Sequence, residues 1–264
     1  MNRRLLGLAP LSLLGTEPAE FVRIAADTGF DFVGLRVKPV TASEPDFNLL
    51  PGSARLRQVK AILAGTGLPV VDIEFLALDG TVGPETWLPM LEAGGELCAR
   101  TLTVTAADPD RARLTATLAA LTEDGRQYGV TPTLEPISYQ SVRSIPEAAA
   151  LAAQAGCFWL PDSLHIRRFG GTDAEVAQYI GTAPMLQLCD GPAEHPADRE
   201  GLIEESRSSR MVPGTGRFGL AKLVEALPAD LPLSAEVPSL DRGETGDEAH
   251  VVALLNGLIA CAGQ

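Results

Sequence analysis

The 264-residue chain carries 21 Lys and Arg against 34 Asp and Glu, a formal net charge of −13, with 45% hydrophobic and 21% charged residues. A field of that sign repels a phosphate backbone, so nucleic acid is not an expected partner. No run is long and apolar enough to span a membrane, and the composition is that of a globular chain able to bury a sizeable core.

In chain order, the opening stretch MNRRLLGLAPLSLLG looks superficially like an export signal, with two arginines ahead of leucines. Pro10 interrupts it and a helical pattern starts near Glu17, so it reads better as a first strand. Short apolar, β-branched runs then alternate with helical patterns. Strands are predicted at Leu5–Leu8, Phe32–Val37, Val70–Phe75, Thr101–Thr105, Thr131–Glu135, Cys157–Pro161, Met185–Cys189 and Leu233–Val237. Helices are predicted within 17–29, 53–67, 84–99, 109–129, 145–156, 172–181, 219–227 and 247–263. Several of these end at a glycine (Gly29, Gly67, Gly129, Gly156) and several start near a proline (Pro18, Pro109, Pro146), as helix termini do. Segments 38–52 and 190–218 are the longest irregular stretches, long enough to suggest a functional role. The four cysteines, Cys98, Cys157, Cys189 and Cys261, fit no zinc or redox spacing and read as small core residues in a reducing, cytoplasmic compartment.

Eight strand–helix units in a chain of this length predict a single-domain (β/α)8 TIM barrel over residues 1–264. The competing open doubly wound sheet would place a Gly-rich turn after its first strand. Here that turn is APLSLLGTEP, which lacks the spacing.

Barrel active sites form at the C-terminal ends of the strands. Four consecutive predicted strands carry an oxygen donor near that end: Glu135, Asp162, Gln187 and Glu236. A carboxylate in an apolar strand is costly unless it is paired, hydrogen-bonded or metal-bound, and a shared divalent cation explains all four at once. An all-oxygen set favours Mn2+ or Mg2+ over zinc. Each residue also has an ordinary reading: Asp162 as the cap of the next helix, Glu135 and Glu236 as partners of arginines, Gln187 as a core amide. Asp72 and Glu74 share one face of strand 3 and stand at the rim of the same end. Arg167 and Arg168 sit either at the mouth or on a solvated helix start, and the PGTG stretch (213–216) reads as a turn.

The order Glu…Asp-x-x-His…Gln-x-x-Asp…Glu across strands 5 to 8 resembles the xylose isomerase-like TIM barrels, and more narrowly the sugar phosphate isomerase/epimerase superfamily. The stretches that carry the likeness are TLEP, LPDSLHIRRFGG, LQLCDGP, SRSSRMVPGTG and LSAEVPS. The resemblance implies metal ligands at Glu135, Asp162, Gln187 and Glu236, with Gln187 departing from the histidine commoner at the third position. It implies that His165 contacts a substrate oxygen and that Arg210, or its rival Arg207, reaches the substrate, with Glu74 as a further substrate contact. The activity implied is isomerisation or epimerisation of a sugar or keto-polyol. Glu135 or Glu236 would abstract a proton next to a carbonyl through a metal-stabilised enediolate. Dehydration on the same fold, as in inosose or 3-dehydroshikimate dehydratases, shares that first step, and a non-catalytic sugar-binding barrel is the remaining alternative. The partner expected is a small carbohydrate or keto-polyol, and a homo-oligomer is compatible with all of this.

Overall fold

The computed structural model describes residues 3–41, 44–238 and 246–264. Ala42 and Ser43 of the long second loop, and Ser239 of the LSAEVPS stretch, lie outside them.

The apolar runs form eight strands: β1 (Leu6–Leu8), β2 (Phe32–Arg36), β3 (Val70–Leu78), β4 (Thr101–Ala106), β5 (Thr131–Glu135), β6 (Phe158–Trp159), β7 (Leu186–Leu188) and β8 (Leu233–Ala235). They pair in parallel in the order β6-β5-β4-β3-β2-β1-β8-β7. The two ends of that order meet at a parallel Asp162–Gln187 bridge, and Gln187 N donates to Pro161 O at 2.9 Å. The seam of the barrel therefore runs between two of the four residues singled out from sequence.

The helices are α1 (Pro18–Thr28), α2 (Ala54–Thr66), α3 (Pro84–Glu96), α4 (Arg111–Arg126), α5 (Ile145–Ala155), α6 (Ser163–Arg168), α7 (Asp173–Tyr179), α8 (Arg199–Ser208), α9 (Leu220–Glu225) and α10 (Asp247–Ala262). Gly29, Gly67 and Gly156 cap α1, α2 and α5 in the left-handed conformation, where a missing Cβ removes the steric cost. None of the described helices is long and apolar enough to cross a membrane.

Three expectations are corrected. Segment 190–218 is not wholly irregular, because it contains α8, whose polar sequence hides a helix capped by the Asp198 carboxylate on Gly201 N at 2.8 Å. Gly129 does not cap α4: that helix stops at Arg126, and Gly129 lies beyond it with φ +71°. Cys98 is not a core residue. It is exposed and left-handed with φ +55° just past α3, while Cys157, Cys189 and Cys261 are buried.

Two apolar compartments result. The larger one lies between the strands and the surrounding helices and includes Leu8, Val33, Ile73, Leu102, Leu134 and Leu186. The smaller one, Phe32, Leu160 and Met185 with Val71 against them, is a separate plug. Gly7 makes room for it. A Cβ there would lie 2.1 Å from the Phe32 ring, so the aromatic side chain occupies the volume that any other residue would need.

Candidate active site

β5 ends at Glu135, and Pro136 behind it keeps Glu135 extended. Asp162 follows β6 and is the N-cap of α6: its Oδ1 accepts from Leu164 N at 2.6 Å. The capping reading of Asp162 is thus correct, but it uses one oxygen. The other, Oδ2, accepts from Arg210 Nη1 at 2.7 Å. The same nitrogen lies 2.9 Å from Glu236 Oε2, just past β8, and 3.2 Å from the Glu236 carbonyl. Gln187, on β7, donates its Nε2 to Glu236 Oε1 at 3.2 Å. Glu135 Oε1 is 3.9 Å from His165 Nε2, and ligand atoms of Glu135, Asp162 and His165 all lie within 4.8 Å of one another. The four strand-end residues form one chain of contacts, with His165 and Arg210 within it.

Glu135, Asp162, Gln187, Glu236, His165 and Arg210 are each at most 7% exposed. Burial, then the neighbouring Glu236 and Asp162 charges, pushes the Glu135 carboxyl well above its usual range. Burial does the same to Glu236, against the opposing pull of Arg210. Burial would also raise Asp162, but Arg210 and His165 beside it hold its carboxyl below the usual value. Asp162 and Glu236 keep the Arg210 guanidinium charged, well above its ordinary pKa despite burial.

His165 is pushed down to about 4 by burial, so its ring is neutral at physiological pH. Ser138 fixes the tautomer. Its backbone N–H, which can only donate, lies 3.4 Å from Nδ1, and its hydroxyl lies 3.1 Å from the same atom. Nδ1 accepts, the proton resides on Nε2, and Nε2 faces Glu135. Tyr139 packs edge-on against the ring at 5.7 Å between centroids. The role of Ser138 was missed from sequence. The serine two residues after a Glu-Pro strand end is the signal available, and nothing in it specifies a histidine 27 positions away.

A cavity of about 570 Å3 opens over this cluster, lined by Glu74, Glu135, His165, Arg207, Arg210 and Glu236 among others. The four residues expected from sequence to contact substrate, His165, Arg210, Arg207 and Glu74, all reach it, Arg207 from an exposed position on α8. Glu74 is buried, with Oε1 lacking a partner, and burial raises its pKa to about 8. Asp72 does not line the cavity. It accepts from Thr101 Oγ1 at 2.6 Å and Thr103 Oγ1 at 2.8 Å inside the barrel, and burial raises it to about 7.

Arg167 and Arg168 both miss the mouth. Arg167 pairs with Asp173 at 2.7 Å and donates to Phe218 O. Arg168 is buried in a two-pronged ion pair with Glu205 of α8, which fastens that helix, and with it Ser206 and Arg207, to the barrel. The PGTG turn is structural. Asp190 accepts from Gly191 N, Gly214 N and Phe218 N, so the amides of Gly214 and Phe218 are spent on a carboxylate.

The residues fit a divalent cation. Gln187 Oε1 is buried and has no hydrogen-bond partner, which is costly for an amide oxygen that nothing else will meet. Around it, three carboxylates share a single guanidinium, leaving surplus negative charge in a buried pocket. His165 Nε2, which carries the ring proton, faces this cluster as a donor and not as a ligand.

Residues 22–253 match the profile of the xylose isomerase-like TIM barrels, which is most of the chain. The chain belongs to the xylose isomerase-like TIM barrel family. A xylose isomerase domain protein from Salmonella typhimurium LT2 superposes with a TM-score of 0.80 at 19% identity, covering 100% of each chain. A fusion of a xylose isomerase-like TIM barrel with 4-hydroxyphenylpyruvate dioxygenase gives 0.81 at 20% identity, with 98% of this chain spanning 43% of that one. An L-ribulose 3-epimerase gives 0.72 at 16% identity over 99% and 95% of the two chains. At these identities the likeness is one of fold. No curated protein matches the sequence at a significant level.

Proposed function

We propose that this member of the family is a divalent-metal-dependent isomerase or epimerase of a sugar or keto-polyol, acting by proton abstraction next to a carbonyl. The observation that carries the reading is the cluster of Glu135, Asp162 and His165, with ligand atoms within 4.8 Å of one another, next to Glu236 and the unpartnered Gln187 Oε1 at a cavity of about 570 Å3. Glu135, Asp162, Gln187 and Glu236 would hold the cation, with Mn2+ or Mg2+ suited to oxygen donors. The bound cation would supply Lewis acidity to the carbonyl and neighbouring hydroxyl of the substrate.

The protein's own groups divide the remaining work. Glu135 and Glu236 both face the cavity, which places their carboxylates to take and return a carbon-bound proton. His165, held as the Nε2–H tautomer by Ser138, donates to the substrate oxygen that gains charge as the proton leaves. Arg210 keeps Asp162 and Glu236 in place, and Arg207 closes the rim. The carbohydrate-acting neighbours support this reading, among them the L-ribulose 3-epimerase, a D-allulose 3-epimerase crystallised with D-allulose and a 3-keto-D-glucoside 4-epimerase. So does a zinc-bound neighbour of the same fold. A cytoplasmic location accords with the reduced cysteines.

The test is deuterium incorporation from D2O, followed by NMR across keto-sugars, keto-inositols and cyclic keto-acids, with metal added. Exchange at one carbon that is lost in Glu236→Gln and Glu135→Gln is the expected result. Loss of water instead of exchange or rearrangement would assign the neighbouring dehydration chemistry, as in a probable 3-dehydroshikimate dehydratase of the same fold. Unchanged turnover in Glu236→Gln would end the reading.

A further inference from the structure

β2 ends at Arg36, four strands around the ring from β6 and so across the barrel from Asp162. Arg36 lines the same cavity and is 8% exposed. Its Nε and Nη1 have no hydrogen-bond partner. The closest carboxylate in an ion pair, Glu44 Oε2, stands 3.9 Å from Nε, beyond hydrogen-bonding reach. Glu44 is already engaged by its own loop, accepting from Val40 N at 3.1 Å and Thr41 Oγ1 at 3.3 Å. The guanidinium lies over the Phe75 ring at 4.7 Å, which fixes its plane. Thr105 Oγ1 and Gln140 Oε1, in the same cavity, also lack partners.

A buried guanidinium with unused N–H groups is rare, because leaving them unmet costs more than the bonds would contribute. Among the described residues the other interior arginines obey that rule: Arg4 donates to backbone carbonyls, Arg168 to Glu205 and Arg210 to Asp162. Arg36 itself lines the space that a substrate would fill, with its unpartnered Nε and Nη1 buried behind that wall. The carboxylate-rich ends of β5–β8 thus face a side of the cavity where Arg36 stands beside Glu44 and Glu74.

We propose that Arg36 receives a carboxylate on the substrate, so that this enzyme acts on a keto-alcohol acid and not on a neutral sugar. The claim rests on the proton-abstraction reading for the other end of the molecule. A carboxylate suits the site better than a phosphate dianion, because Glu44 and Glu74 nearby repel two negative charges more than one. Arg36 is a binding residue, and takes no part in the proton transfer.

The probe is a hydroxy-oxocyclohexane carboxylate compared with its methyl ester and with the phosphate ester of the corresponding alcohol. Binding is measured by calorimetry on the full-length, Mn2+-loaded protein. A charge-assisted pair at a buried site predicts that the acid binds roughly tenfold to a hundredfold more tightly than the methyl ester. The preference should vanish in Arg36→Gln and persist, weakened, in Arg36→Lys. Equal binding of acid and ester overturns the proposal, and this arm uses the native protein, so it decides even where Arg36→Gln fails to fold. A preference that survives in Arg36→Gln puts the carboxylate elsewhere and overturns it too, as does tighter Arg36-dependent binding of the phosphate ester. Deuterium exchange on neutral keto-sugars alone would sink this inference and leave the proposed function standing. Arg36-dependent binding of the acid with no exchange on any substrate would do the reverse.

Discussion

Arg168→Ala should destabilise the protein far more than the loss of a surface ion pair. The substitution removes both prongs to Glu205, one of them at 2.7 Å, the 2.9 Å bond to Pro192 O, and the stacking of the guanidinium on Phe218 at 4.9 Å. What it leaves behind matters more. The side chains are 2% and 9% exposed, so the Glu205 carboxylate is stranded without a counter-charge in a site that water scarcely reaches. Stranding one member of a buried pair costs about 3–5 kcal/mol, against about 1 kcal/mol at most for an exposed pair. At roughly 2–4 °C per kcal/mol for a chain of this size, Tm should fall on the order of 10 °C. Urea unfolding of Arg168→Met, Glu205→Leu and the double variant gives the decisive comparison. The double variant should be more stable than the sum of the single losses predicts, since an apolar pair leaves no charge behind. Single losses below about 1 kcal/mol, or strict additivity, would refute the idea that this pair fastens α8.

Mn2+ or Mg2+ should raise Tm in the native protein and do so much less in Gln187→Leu, because a ligand that binds only the folded state stabilises it; an equal rise in both would remove Gln187 from the ligand set. The His165 ring should stay neutral on acidification down to about pH 4, visible in its ring nitrogen shifts. The unfolded chain takes up that proton near pH 6.5, so this group alone removes roughly 3 kcal/mol of stability as pH falls from about 6.5 to about 4; titration of the folded protein near 6.5 would contradict it. Gly7→Ala should cost about 1–3 kcal/mol or more through overpacking against Phe32, measured by denaturant unfolding, and a neutral result would mean the plug is loose. A thiol reagent should label the exposed Cys98 quickly and leave Cys157, Cys189 and Cys261 unmodified until the chain unfolds, since burial raises the pKa of those three thiols, Cys157 to about 12.

The alternation of strand and helix was readable because each buried parallel strand must be an apolar run and each covering helix must show an apolar stripe. β5 falls on the predicted residues, and the other strands differ at their ends. β6 and β7 are shorter than predicted because the ladder between them reduces to the Asp162–Gln187 bridge, a property of barrel closure that no local pattern encodes. α8 was missed because its residues are mostly polar and its anchor, Glu205 to Arg168, is 37 positions distant.

The oxygen donors at the ends of strands 5 to 8 were legible for a similar local reason: a carboxylate within an apolar run needs a partner, and the fold class puts all such positions at one end. What the partners are was not legible. Arg168 and Arg210 are both arginines in polar stretches, yet one joins a helix to the barrel and the other lies between two carboxylates of the site. Asp162 looked like either a helix cap or a site residue, and it is both, because its two oxygens point to different neighbours. Sequence alone therefore determined the barrel, the end at which chemistry collects and the acidic character of the cluster, since these follow from periodicity and the cost of burying charge. Only the tertiary structure decided which charges meet, which donors of Arg36 and which acceptor of Gln187 stay unpaired, and how the His165 tautomer is set. Those depend on angstrom-scale distances between segments far apart in the chain.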